Sequence, residues 1–599
     1  PCPGNCPARM ASRSVLALVL ALLVVASAAT TELWVSAVVG AGGNVAGCGA
    51  QAKPCGTIKF AMEQVTSGPI EIVLLHGYTY SDPGDMNIVV KTQNVSMRPD
   101  DAVSPTIVDC RGSSRFMQVI NEDRTGALKL EVAFHALTFT GCVAPENSNG
   151  AVLQVSGLVN VIVTDSNFNQ NRARNGGAIS VVPAVQSVAR LAPTVRLNGD
   201  NVFYNNSATN NGGAIYSESS YVDISGATFQ YNRAVVGGAI WYSSNFVFSM
   251  NGGSFSFNRA LSSTDAGSAL YISSAATVAV QDVTFTSNHA MGKGTIMFYF
   301  GPRATLQAVT FIDNTALGGG AGIAESAQVT GVVEDSLFVN NRGLKGSAIM
   351  VSGSSKLTAS RLTCRSNHAA FGGCLYFQSS SGTVSATTFD GNLGEDGAAV
   401  YASIHCSVTI KDSVIRNNVA TQDGAGMFCD QSTYTLTNNT FSNNTISKTR
   451  ISSKDQDVFC DTEEANGFCT IEGDPIWKNH CKLTYDSGKV PLPKWLIGTL
   501  IGLGVFIFFL ILAVAFWMYQ VRRKSRASTD GDNSHGDYAK IASSDDGDES
   551  SEGPRTTQLW GVVTNPNEVH YADESEDDDA DGDGLVEGQK KSLTFGPED

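Results

Sequence analysis

The chain has 599 residues, with 60 glycines, only 18 prolines and 16% charged residues. Such composition excludes collagen-like and proline-rich sequence, and the sparse charge argues against a solvated helical protein. The net charge of -16 is unevenly placed: residues after Val521 hold 8 Lys+Arg and 20 Asp+Glu, a balance of -12 that leaves -4 for everything before. Neither part has the basic stripe of a nucleic-acid binder, so no nucleic-acid partner is expected.

In chain order, the first element expected is a signal peptide over residues 10–28. Arg13 is its basic start, Val15 to Val25 its apolar stretch, and Ala26-Ser27-Ala28 its small-residue cleavage site. Residues 1–9, with Cys2 and Cys6, read as sequence upstream of Met10. Residues 29–140 read as an N-terminal cap and the first coils of a solenoid. Thr57 to Val65 predicts a short amphipathic helix with Ile58, Ala61, Met62 and Val65 on one face, placed to cover open strand edges. Strands are expected at Ile70–Leu75, Asn87–Val90, Thr106–Val108 and Leu128–Phe139.

Residues 141–445 carry a repeat. Phe-x-x-Asn recurs at Phe168-Asn171, Phe203-Asn206, Phe229-Asn232, Phe255-Asn258, Phe285-Asn288, Phe311-Asn314, Phe338-Asn341, Phe389-Asn392 and Phe441-Asn444; Cys364-Asn367 and Ile415-Asn418 replace the ring. Most steps are 25 to 27 residues, with longer ones before Phe203 and Phe285 that read as loop insertions. A Gly-Gly-Ala-Ile element follows in phase at Gly176–Ile179, Gly212–Ile215 and Gly237–Ile240, as Gly-Gly-Cys-Leu at Gly372–Leu375, and in looser forms elsewhere. About 26 residues suit three short strands and their turns, one coil of a parallel β-helix stacking at ~4.8 Å on the last. Phe then forms an inward column, Asn a ladder of amides at a left-handed turn, and the Gly pair a crowded bend. A leucine-rich repeat has overlapping length, but its Leu-x-x-Leu-x-Leu strand is missing, which favours the β-helix.

The paired Gly-Gly-Ala-Ile and Phe-x-x-Asn motifs resemble the repeats of the chlamydial polymorphic membrane protein family. The N-terminal third resembles, more loosely, the first coils of right-handed β-helix proteins of the pectin-lyase type. The resemblance covers about residues 33 to 460 and implies surface display and adhesion. The bacterial proteins end in an outer-membrane β-barrel, whereas this chain is expected to end differently.

After a Cys-rich cap and stalk over 446–494, Trp495 to Tyr519 is a run of 25 residues without a charge, long enough to span a bilayer. Arg522, Arg523, Lys524 and Arg526 follow, so the positive-inside rule places that side in the cytoplasm. The expected architecture is therefore an all-β, right-handed parallel β-helix ectodomain with a short N-terminal capping helix, one transmembrane helix (495–519) and a disordered acidic cytoplasmic tail (520–599). Such a chain sits in the plasma membrane with its N-terminus outside. In the tail, Tyr538 and Ile541 match a Tyr-x-x-apolar sorting pattern that a cytosolic adaptor would read.

The eleven cysteines after Met10 all precede the span, as do the sequons at Asn94, Asn205, Asn438 and Asn443, candidate glycosylation sites. Cys48 and Cys55 are the expected disulfide pair. Cys460, Cys469 and Cys481 lie in the membrane-proximal stretch, where bridges would brace a small cap, and an odd total leaves one thiol free or paired between chains.

Asp165, Asp223, Asp282, Asp313 and Glu334 fall on different coils, and His289 and His368 each follow a repeat Asn. No metal-ligand spacing, phosphate loop or catalytic triad is present, so no cofactor is expected. If the Ile of Gly-Gly-Ala-Ile points inward, the next residue points out. That column reads Tyr216, Trp241 and Tyr271, then Tyr376, Tyr401 and Phe428, two candidate ligand-facing aromatic strips. The expected function is adhesion or recognition of a glycan or protein ligand without catalysis; the alternative is a membrane-anchored polysaccharide-active enzyme.

Overall fold

The computed structural model describes residues 30–38, 43–123, 127–183, 192–274, 276–447, 457–461 and 469–473. The expected signal peptide, transmembrane helix and tail, with Tyr538 and Ile541, lie outside the described residues. Among the described residues, no helix is long and apolar enough to cross a membrane.

The described strands stack in parallel as a right-handed β-solenoid of about 14 turns, with almost no helix. One sheet has 16 strands, two have 14, and two shorter ones have seven and three. A single coil shows the plan. Thr228–Gln230 lies in one 14-stranded sheet (the Phe sheet), and Arg233–Ala234 in the seven-stranded short sheet. Ile240–Ser243 lies in the other 14-stranded sheet (the Ile sheet), and Val247–Asn251 in the 16-stranded sheet. Each coil thus carries four strands in this region, one more than the repeat length suggests. The extra strand is two residues long, too short to leave a periodicity of its own.

Alternation builds the core. In Thr277–Gln281 the side chains alternate exposed and buried, with Val278 and Val280 inside. The Phe column is continuous from Phe139 to Phe338, with ring centroids 4.6 to 5.3 Å apart. Each buried Phe contributes ~1.5–3 kcal/mol over its exposed state.

The Asn ladder is buried and hydrogen-bonded. Asn232 Nδ2 donates to Asn258 Oδ1 of the next coil at 3.0 Å and to the Phe203 carbonyl of the coil before at 2.9 Å. Its backbone N–H also donates to Asn258 Oδ1, at 3.0 Å. Here the structure corrects one expectation: the ladder Asn is not the left-handed residue. Positive φ falls on the residue before it, such as Gln170, Asn205 and Asn340. The Asn side chain is occupied between coils, so the residue before it makes the corner. The first Gly of each pair does turn left-handed (Gly237, φ 65°), and the second packs so closely that a Cβ on Gly213 would collide with the Gly238 carbonyl.

Near the N-terminus, Ile58–Glu63 is helical, with Ile58, Ala61 and Met62 buried. The Ile58 N–H donates to Asp85 Oδ1 at 2.8 Å; burial raises the Asp85 carboxyl to about 6. The segment expected as one strand over 128–139 is two, Leu130–His135 and Leu137–Thr140, in different sheets. Ala136 at φ 52° turns the corner between them. At the other end, strand pairing continues past residue 445, through Val458–Asp461 to Thr470–Gly473.

Cys48 and Cys55 are disulfide-bonded, as are Cys110–Cys142, Cys364–Cys374 and Cys429–Cys469. Cys460 is also disulfide-bonded, Cys481 lies outside the described residues, and Cys406 is a buried free thiol. Cys364 takes a Phe position in the inward column, which brings it to the Cys374 of its own coil's Gly-Gly-Cys-Leu.

Candidate functional site

The residue after each inward Ile does align. Tyr216, Trp241 and Tyr271 are in register on successive strands of the Ile sheet, as are Tyr376, Tyr401 and Phe428. Tyr216 and Trp241 stack at 4.4 Å and 6°, Trp241 and Tyr271 at 6.3 Å and 6°. Tyr376–Tyr401 and Tyr401–Phe428 stack at 5.3 and 4.8 Å. The two strips form one ladder: Met297, Ala324 and Met350 fill the intervening positions, and Phe459 extends it beyond Phe428.

Exposure differs from the sequence expectation along this ladder. Tyr216, Trp241 and Tyr271 are half-buried. Tyr376 and Phe428 are only 4% and 6% exposed, so they do not stand free on the surface. The cause lies in their neighbours. Lys Nζ of Lys345 sits 5.2 Å from the Tyr376 ring centre, and Phe428 is held between Tyr401 and Phe459. Phe371 meets Tyr401 edge-on at 5.5 Å. The first Gly of the preceding coil lies under each ring's root, as Gly346 does at Tyr376 and Gly397 at Phe428. In the first strip, the Tyr216 hydroxyl donates to Glu218 Oε2 at 3.1 Å. Burial first, and Glu218 second, raise its ionisation well above the usual phenol range.

The acidic residues do not converge. Asp165, Asp282 and Asp313 each occupy a left-handed corner on a different coil, and Asp223 is exposed on the 16-stranded sheet. Glu334 lies 3.5 Å from Arg361, which also binds Asp335. Among the described residues, no three His, Cys, Asp or Glu gather into a metal-binding group. His289 and His368 are half-buried outward residues of the short-sheet column. Burial, and then Arg259 or Arg342, lower their pKa.

The sequon asparagines Asn94, Asn205, Asn438 and Asn443 are all exposed. Asn205, Asn438 and Asn443 sit at left-handed corners, and Asn438 Nδ2 donates to Asp412 Oδ1 at 2.8 Å. Sequence reasoning passed over another set of rings, Tyr204, Tyr231 and Phe257, which are among the most exposed large side chains. The signal was present: Tyr231 and Phe257 each stand immediately before a ladder Asn.

Residues 202–218 match the Chlamydia polymorphic membrane protein repeat, and residues 307–473 match the right handed beta helix region. The first match contains one Phe-x-x-Asn and one Gly-Gly-Ala-Ile in phase, so the chain carries that repeat within a right-handed β-helix. No curated protein matches the chain. Among solved structures, tailspike protein 3 of bacteriophage CBA120 is similar at 9% identity and a TM-score of 0.33, covering 68% of this chain. The chain spans 57% of the length of that tailspike protein.

Proposed function

We propose that the chain is a single-pass cell-surface protein whose β-helix recognises a glycan or protein ligand outside the cell and catalyses no reaction. The observation that carries this reading is the flat, half-exposed stack of Tyr216, Trp241 and Tyr271. Buried rings only stabilise a sheet, whereas rings with an accessible side keep a surface for a partner. The repeat at 202–218 belongs to a family named for membrane proteins, which supports a place at a membrane. In this reading residues 10–28 direct secretion, helix Ile58–Glu63 covers the first strand edges, and the four sequons carry glycans. Trp495 to Tyr519 spans the bilayer, and the acidic tail offers Tyr538 and Ile541 to an adaptor.

The test is binding of full-length protein, displayed on cells, to a glycan array and to soluble extracellular proteins, with cleavage products assayed alongside. Trp241→Ala is expected to reduce binding about tenfold or more while the β-solenoid still melts cooperatively. Undiminished binding with only lower stability would reject the aromatic face, and released fragments would favour an enzyme. Antibody access to epitopes at the two termini of intact cells tests the topology.

A further inference from the structure

The short sheet carries an outward column that scaffold alone does not explain. Arg172, Ser207, Arg233, Arg259 and His289 are paired in register on successive coils. Arg172, Arg233 and Arg259 are exposed, and among the described residues no carboxylate lies within ion-pair distance of any of them. Arg233 and Arg259 are direct neighbours at one coil step, ~4.8 Å along the solenoid, where like charges repel. Between Val202 and Leu261 the only acidic residues are Glu218 and Asp223, and both lie in other sheets. A concavity of about 460 Å³ is lined by Arg172, Ser207, Ala208, Arg233 and Leu261, a volume in the range of ligand sites.

Beside this column runs a second anomaly. Tyr231 and Phe257 each stand two residues before an arginine of the row, across the buried ladder Asn. Both sit at the left-handed corner, with φ 56° and 55°. Other coils place Gln170, Asn205, Ser287 or Asp313 there, small or polar residues that tolerate the conformation better than a bulky ring does. The two rings are 46% and 48% exposed and stack at 5.0 Å and 6°, with Tyr204 edge-on to Tyr231 at 5.5 Å. A costly backbone position filled by an exposed ring, repeated on consecutive coils, points to a use beyond packing.

We infer that this corner, from Arg172 to Phe257, is a binding site for an anionic oligosaccharide. The guanidinium row pairs with sulfate or carboxylate groups spaced along the ligand, and the stacked rings receive the apolar faces of its sugar units. The site lies on a different sheet from Trp241 and stands independently of the ladder proposed above. Asn205 occupies the same corner one coil before Tyr231, so an N-linked glycan there would compete for the rings.

The test uses substitutions that other coils already contain, so the fold is retained. Thr315 fills the arginine column at its coil, and Asn340 and Ser366 fill the corner. Full-length protein carrying Asn205→Gln, matching Gln170, is titrated with heparin oligosaccharides, hyaluronan oligosaccharides, neutral dextran and inorganic polyphosphate. Binding to the sulfated, the carboxylated or both anionic glycans is expected, weakening as salt rises. Arg233→Thr with Arg259→Thr should weaken it about tenfold or more. Tyr231→Asn with Phe257→Ser should weaken glycan binding and leave polyphosphate binding unchanged. Equal binding of dextran, binding of polyphosphate alone, no binding, or unchanged affinity in both double variants would overturn the assignment.

Discussion

Gly346 lies directly under Tyr376 of the following coil: a Cβ built on Gly346 would stand 2.8 Å from the Tyr376 Cβ, and the residue has φ 57°. The bend that begins one coil is thereby the seat of the outward ring on the next. Gly372, Gly397 and Gly424 repeat the relation with Tyr401, Phe428 and Phe459.

Gly346→Ala should therefore destabilise the β-solenoid by about 2 kcal/mol or more, through a left-handed backbone and a steric overlap together. The control is Gly391→Asn. Gly391 has φ 66° with only Ser366 Oγ near, at 3.9 Å, in a column that elsewhere holds Asn. Denaturant unfolding of the two variants should separate them clearly, with Gly391→Asn within about 0.5 kcal/mol of the parent.

Asn258→Ala removes the acceptor of the Asn232 backbone and side-chain amides and the donor to the Phe229 carbonyl. Each unsatisfied buried group costs about 1–3 kcal/mol, so a loss of several kcal/mol is expected. Amide hydrogen exchange should show it concentrated on the coils flanking Asn258, because each coil is stabilised mainly by its neighbours. Uniform loss of protection along the whole array would contradict this.

Glu325 is fully buried, and neither carboxyl oxygen has a hydrogen-bond partner. Burial raises its pKa from 4.5 to about 8. The folded chain keeps this proton where the unfolded chain has released it. Its stabilising contribution is therefore full below about pH 4.5 and is lost as pH rises towards 8, by an order of a few kcal/mol. Glu325→Gln removes the titration, so its melting temperature should exceed the parent's more at pH 8 than at pH 5. An equal difference at both values would show that Glu325 does not titrate in this window.

Phe255→Ala and Trp241→Ala should differ in stability. Phe255 is enclosed between Phe229 and Phe285 at 4.7 and 5.1 Å, and truncation there should cost about 3–5 kcal/mol. Trp241 is half-buried on the outward ladder, so its truncation should cost about 1–2 kcal/mol. Comparable losses in thermal melts would show that the outward ladder is as much core as the Phe column.

Much of the fold is legible in the residues because a β-helix repeats locally what it builds globally. Phe-x-x-Asn and Gly-Gly-Ala-Ile at 25 to 27 residues already imply stacked coils, and Asn206, Asn232 and Asn258 form the expected ladder. Cys48–Cys55 is readable from its short sequence separation of 7, whereas Cys110–Cys142, separated by 32, is not. Those two residues meet only because the corners after Asp109 and Thr140 lie on adjacent coils.

The aromatic column shows where the two kinds of information divide. Alternation along a strand is a property of the backbone, so the sequence alone determines that Tyr216, Trp241, Tyr376 and Phe428 share an outward face. What covers that face is set by residues a coil away, such as Lys345 over Tyr376, and only the tertiary structure decides that Tyr376 is covered while Trp241 keeps an accessible side. The arginine row and its exposed rings follow the same rule. Arg233 and Arg259 are single residues in the sequence, and the parallel register between coils makes them a site.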